Sequence, residues 1–407
     1  MESVKYIILL GDGMADEPIE GLGGRTPLEA AHTPNMDRIA SGGIAGIVRS
    51  IPEGFEPGSD VANLSIMGFD PARYYTGRAP IEAASLGIAL APSDIAYRMN
   101  LVTLSGREGP AGRRTMVDYS AGHIPDADSH PLVESLEREL GSHEFRMYPG
   151  KSYRHILVWR NGIRDIATTP PHDITGREIG TYLPHGKGAG RLLSVMREGE
   201  RVLADHPVNR KRIAGGKHAA TSPWFWGQGN RPALVTFIER WGISGAVISA
   251  VDLIQGLGVL SGLEVIRVPG ATGWIDTNYA GKVAAALEAF RQGADFVYLH
   301  VEAPDEAGHS GDAAVKVRAI EEFDSQVVGP ILAGMAAFPQ WRCLVLPDHP
   351  TPIGIRTHSS TPVPFAAAGS GLSKGGAGGF SEAACRKTGL FITEGHTLIE
   401  RFLKGTL

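Results

Sequence analysis

Short apolar runs recur along the chain: Tyr6-Ile-Ile-Leu-Leu10, Ala246-Val-Ile-Ser-Ala-Val251, Phe296-Val-Tyr-Leu-His-Val301 and Cys343-Leu-Val-Leu346. A strand apolar on both sides needs cover on both faces. These runs therefore predict the strands of a largely parallel sheet flanked by helices. Stretches of helical character lie between them, Asn278 to Gln292 and Ala313 to Val328 among them, so the expected class is α/β. The middle of the chain breaks the pattern. It carries a strand with alternating character, His155-Ile-Leu-Val-Trp159, several proline- or glycine-rich turns, and a basic stretch from Asn209 to His218. We read residues 88–235 as an inserted α+β cap domain. It would split the α/β core into residues 1–87 and 236–407.

Composition narrows the function classes. A chain of 407 residues with 43% apolar and 20% charged residues is globular, and too long for one ordinary core. Its net charge of −5 argues against a broad nucleic-acid surface. A small anionic substrate needs only a local cationic pocket and stays open. Two cysteines outside any C-x-x-C motif leave no basis for a disulfide framework or a thiolate zinc site. No apolar run approaches the roughly 18 residues of a membrane span. A cytoplasmic setting without membrane partners is expected, and oligomeric state is left open.

The chemistry lies where ligands bind an open parallel sheet, beyond the carboxyl ends of its strands. Asp12 follows the first strand, Asp305 and His309 follow the strand ending at Val301, and Asp348 and His349 follow the strand ending at Leu346. His358 lies in the loop beyond. Three carboxylates and three imidazoles suit borderline divalent cations, and six such groups exceed the needs of one four-coordinate ion. Two divalent ions are expected, Mn²⁺ foremost, with Zn²⁺, Co²⁺ or Mg²⁺ as alternatives. Ser59, in Glu56-Pro-Gly-Ser-Asp60, precedes an apolar helical stretch from Val61 to Met67. On pattern alone Ser59 or Asp60 reads as the helix N-cap. A metal-activated hydroxyl at a helix N-terminus would also be placed to attack phosphate.

The motifs Gly11-Asp12-Gly13, Leu22-Gly-Gly-Arg-Thr-Pro-Leu-Glu-Ala30, Thr33-Pro-Asn-Met-Asp37 and Pro57-Gly-Ser-Asp60 resemble cofactor-independent phosphoglycerate mutases of the archaeal type, in the alkaline-phosphatase-like superfamily. Tyr75-Thr-Gly-Arg-Ala-Pro80, Val268-Pro-Gly-Ala-Thr-Gly273, Glu302-Ala-Pro-Asp-Glu-Ala-Gly-His309, Asp348-His-Pro-Thr351 and Thr357-His358 extend the match across nearly the whole chain. The resemblance implies Asp305, His309 and His358 on one metal, and Asp12, Ser59, Asp348 and His349 on the other. It implies a transient phosphoserine at Ser59 during interconversion of 3- and 2-phosphoglycerate without 2,3-bisphosphoglycerate. Arg78, Arg154 and Arg210 are the candidates for binding the phosphorylated substrate, and Asp118 for proton transfer. Tyr119 and His123 stand where the archaeal-type enzymes tend to carry arginine, and Asn63 where histidine is common. Those departures resemble a bacterial branch proposed as homoserine kinases, so a homoserine phosphotransferase or a phosphatase with the same core are the alternatives.

Overall fold

The computed structural model describes residues 4–106, 113–372 and 375–407. The chain forms two compact units, one of residues 1–75 and 233–407 and one of residues 76–232. The first break falls earlier than residue 87 because the helix Ala79–Ser85 belongs with the middle of the chain. Its Ala79 and Ala83 bury against Leu90, Ala96, Ile156 and Val158.

The larger unit is built on an eight-stranded sheet. From one edge the strands run Phe391–Ile392, Ile44–Val48, Val363–Gly369, Trp341–Leu346, Lys5–Gly11, Phe296–Val301, Gly245–Ile248 and Glu264–Ile266. All pair in parallel except at Val363–Gly369, which runs against both neighbours. The unbroken apolar runs occupy the centre for the expected reason. Ile7 and Leu9 pack with Met36, Ile39, Phe290 and Phe323 on one face, while Ile8 and Leu10 are fully buried on the other. The helix expected over Asn278 to Gln292 spans Tyr279–Arg291, and the Asn278 side chain caps it by accepting from Gly281 N at 2.8 Å. The helix expected over Ala313 to Val328 stops as α-helix at Phe323. It continues through a π-helical turn, Asp324–Val328. The Asp324 carboxylate there accepts from Met36 N at 2.7 Å and Asn35 N at 3.2 Å, closing the start of the helix Pro34–Gly42.

The smaller unit has a different architecture, a five-stranded sheet paired antiparallel throughout. Its long central strand Ile95–Ser105 pairs with Arg154–Trp159, Ser222–Gly229 and Thr115–Asp118. The segment read as alternating, His155 to Trp159, is buried at every position because it lies between two other strands. His155 is part of that burial. Its Nδ1 accepts from Gly150 N at 3.0 Å and its Nε2 has no partner. Burial, aided by the positive charges of His130 and Arg154, pushes it down to about 3.

A histidine held neutral in the fold but protonated near 6.5 when unfolded contributes stability that is complete above about pH 6.5 and lost as pH falls toward 3. Urea unfolding followed by the fluorescence of the buried Trp159, Trp224 and Trp226 should therefore show a lower midpoint at about pH 5 than at about pH 7. His155→Asn keeps an acceptor for Gly150 N and should lose less midpoint over that interval. An equal loss in both proteins would contradict the assignment.

Candidate two-metal active site

The three central strands of the large sheet, Trp341–Leu346, Lys5–Gly11 and Phe296–Val301, are neighbours and end on the same side. Their carboxyl ends deliver the six expected ligands as two trios. In one trio, ligand atoms of Asp305, His309 and His358 lie within 4.8 Å of one another; in the other, those of Asp12, Asp348 and His349 do. Asp305 and His309 face each other because they lie four residues apart on the short helix Ala303–Ser310. The His309 and His358 Nε2 atoms are 3.1 Å apart, and each lies within 3.5 Å of an Asp305 oxygen. His349 Nε2 lies 3.5 Å from Asp12 Oδ1 and 3.4 Å from Asp348 Oδ2.

Ser59 is not the N-cap of its helix. The helix Ser59–Ile66 is entered through Gly58, and no side chain caps it. The Asp60 carboxylate is also directed elsewhere, accepting from Tyr75 OH at 2.6 Å and from Val61 N at 3.0 Å. Ser59 Oγ instead stands 3.0 Å from His349 Nε2, beside the second trio and at the N-terminal, positive end of the helix dipole.

Electrostatics make the trios fit divalent cations. Asp12 is buried and its Oδ1 has no hydrogen-bond partner. Burial pushes its carboxyl well above the usual range, and the charges of Asp348, Asp305 and Glu302 push it further. Burial also raises the Asp305 carboxyl, but bonds from His309 and His358 outweigh it and hold the group well below the usual range. Burial lowers His309, yet its bond with Asp305 carries it up to about 9. Without a cation, protons must fill in at one trio and like charges face each other at the other.

Comparison with known proteins identifies the family of the chain. A family model described as 2,3-bisphosphoglycerate-independent phosphoglycerate mutase matches residues 40–209. A curated protein of that name from Methanothrix thermoacetophila is 53% identical over 403 residues, covering 99% of this chain and all of the relative. The chain belongs to the 2,3-bisphosphoglycerate-independent phosphoglycerate mutase family. Among solved structures it is similar to the PH0037 protein of Pyrococcus horikoshii, with a TM-score of 0.84 at 29% identity over 100% of this chain and 98% of that one. It is also similar to the cofactor-independent phosphoglycerate mutase of Thermoplasma acidophilum, with a TM-score of 0.67 at 28% identity over the whole of both chains.

The smaller unit of this mutase-family chain carries the other candidates. Arg78 and Arg98 both ion-pair with Glu82, at 2.9 and 3.0 Å. Burial raises the Glu82 carboxyl, but Arg98, Arg78 and Arg154 outweigh it and hold it below the usual range. Arg98 stacks on Trp226 at 4.2 Å and Arg154 lies over Tyr153 at 5.7 Å. Tyr119, His123 and His172 meet the same aromatic group. Arg78 and Arg154 thus share one cationic and aromatic cluster. Arg210 is exposed on the helix Pro207–Ala214, where its charge acts on His206. Asp118 closes a turn: Oδ1 accepts from Ser120 N at 2.7 Å and Oγ at 2.6 Å, and Oδ2 from Gly122 N at 3.1 Å. That turn holds Ala121 and His123 at positive φ, 49° and 46°, a costly conformation for residues with a Cβ.

Sequence reasoning passed over the groups behind the ligands. His300 Nε2 lies 2.9 Å from Asp12 Oδ2, and its Nδ1 3.2 Å from Ser249 Oγ. Tyr298 OH donates to Asn63 Oδ1 at 2.6 Å, and Asn63 Nδ2 donates to Asp348 Oδ2 at 2.8 Å. The available signal was two polar residues at alternate positions, 298 and 300, in an otherwise apolar strand, which places both on one face.

Asp12→Asn removes one of the crowded negative charges. The metal-free variant should melt higher than metal-free wild type, by about 2–4 °C for about 1 kcal/mol. It should also gain less melting temperature on addition of Mn²⁺. A lower metal-free melting temperature in calorimetry would contradict the electrostatic reading.

Proposed function

We propose that the protein interconverts 3-phosphoglycerate and 2-phosphoglycerate through a phosphoserine on Ser59, without 2,3-bisphosphoglycerate. The observation that carries this reading is Ser59 Oγ, uncapped at a helix N-terminus and 3.0 Å from an imidazole of the second trio. Membership of the mutase family supports the substrate. Asp305, His309 and His358 would hold one divalent ion, and Asp12, Asp348 and His349 with Ser59 the other, with Mn²⁺ the expected occupant of both. Such ions, when bound, offset phosphate charge and lower the pKa of the serine hydroxyl.

Ser59 Oγ attacks phosphorus. Its bond to phosphorus forms as the bond to the C3 oxygen of glycerate breaks. The freed glycerate hydroxyl takes up a proton, and the Ser59 proton is released. In the return step the C2 hydroxyl of the retained glycerate gives up its proton and its oxygen bonds phosphorus as the bond from phosphorus to Ser59 Oγ breaks, and Ser59 Oγ takes up a proton. The backbone N–H groups at the start of the helix Ser59–Ile66 orient the transferred group. Within the smaller unit, Arg78, Arg98 and Arg154 form a cationic cluster whose planar guanidinium donors suit an anionic group. Asp118 acts in this account as the staple that presents His123. Burial raises its carboxyl, but the bonds from Ser120 and Gly122 outweigh it and leave an acceptor held below the usual range, suited to bracing a turn.

Purified protein loaded with Mn²⁺ should interconvert the two phosphoglycerates in the absence of bisphosphoglycerate, lose activity on chelation and regain it with Mn²⁺. Ser59→Ala should lose at least about 10³-fold in kcat while keeping its metals. ATP consumption dependent on homoserine, with no turnover of phosphoglycerate, would overturn the assignment. Near-normal turnover by Ser59→Ala would overturn the phosphoserine route.

A further inference from the structure

Thr351 is fully buried and is held from every side. Its N–H donates to Ala15 O at 3.2 Å. Its carbonyl accepts at 2.8 Å from Lys316 Nζ, a fully buried ammonium that also donates to Ala15 O at 3.0 Å and Asp16 Oδ2 at 2.8 Å. Two glycines leave room for it. A Cβ on Gly13 would stand 2.5 Å from Thr351 Oγ1 and 2.5 Å from Asp305 Oδ1. A Cβ on Gly308 would stand 2.8 Å from the Thr351 methyl carbon. Burying a lysine among backbone carbonyls is costly unless every donor is satisfied, and here all three are, around this one loop.

What is held so firmly is a hydroxyl shared by the two trios. Thr351 Oγ1 bonds to Asp305 Oδ1 and lies 3.3 Å from His349 Nδ1. The hydroxyl has one proton. A carboxylate that serves as a metal ligand is ionised and can only accept, so that proton goes to Asp305. The contact with His349 then requires a proton on Nδ1, with a Thr351 lone pair accepting it. His349 is left with an unprotonated Nε2, the atom that faces Asp12, Asp348 and Ser59.

We propose that the Thr351 hydroxyl is a positioning group that fixes the tautomer of His349 and ties the two metal trios to each other. It donates to a ligand of one and accepts from a ligand of the other. This rests on the two-metal reading above. Ordering either trio then helps to order its neighbour, through a bridge that neither set of ligands supplies itself.

The test uses Thr351→Val, which removes the hydroxyl at nearly constant volume, and Thr351→Ser, which restores it. Titration of metal-free protein with Mn²⁺, read by paramagnetic resonance of the free ion, should show two ions taken up by wild type. Thr351→Val should bind both more weakly, by about 10–100-fold, and Thr351→Ser should stay within a few-fold of wild type. Nitrogen-15 spectra of the histidine rings in wild type should show His349 protonated at Nδ1, a readout independent of the variants. A protonated Nε2 on His349, or Thr351→Val with wild-type affinity at both steps, would overturn the proposal. Wild type taking up fewer than two ions would overturn the two-metal reading and this proposal with it. Two ions in wild type with no effect of Thr351→Val would overturn the bridge alone.

Discussion

Three carboxylates and three imidazoles crowd the carboxyl ends of three neighbouring strands, and one of the two trios has almost no solvent to screen it. That constraint shapes the rest of the large unit. Asp12 and Asp348 are almost wholly removed from water and so is His349, and one oxygen of Asp12 has no partner. A fold that only needed to be stable would not keep such a group, because a buried polar atom without a partner is costly. The arrangement makes physical sense as a cation site, with the buried groups behind it serving to aim the ligands.

The packing follows from that requirement. Strand Phe296–Val301 turns Tyr298 and His300 to one face, where His300 meets Asp12 directly and Tyr298 braces Asn63, which donates to Asp348. Lys316 ties the loop after Asp12 to the loop after His349, and Gly13 and Gly308 let the backbones come close enough for Thr351 to stand between the trios. Tyr298 and His300 come from a strand and Lys316 and Asn63 from helices, and Thr351 comes from the loop that Lys316 pins. They hold the ligands in a rigid frame, as a site needs when a small misplacement costs rate.

Much of this was legible in the sequence, and for identifiable reasons. The runs at Tyr6, Phe296 and Cys343 were apolar at consecutive positions because both faces of the sheet are covered, so order and class could be read. The candidate ligands Asp12, Asp305, His309, Asp348 and His349 follow those runs, with His358 in the loop beyond, where an open parallel sheet exposes its functional groups. Ser59 was ambiguous, because a serine before an apolar helix has the signature of a cap; only the position of its Oγ, beside His349, separates the two roles. The supporting residues were less visible. Thr351 was visible only as part of a motif and Lys316 not at all, and their roles come from contacts with other elements, Lys316 reaching Ala15 and Asp16 about 300 residues away. The helix Ala79–Ser85 was assigned to the core because its packing partners, Ile156 and Val158, lie far downstream in the chain.

The central claim is that phosphate passes through Ser59. Acid-quenching Mn²⁺-loaded protein during turnover of 3-phosphoglycerate, followed by mapping of the phosphopeptides, tests it directly. The account predicts a single phosphoryl group on the peptide containing Ser59, absent when substrate is omitted. Sustained turnover with Ser59 unmodified, or with phosphate trapped on a different residue, would contradict it.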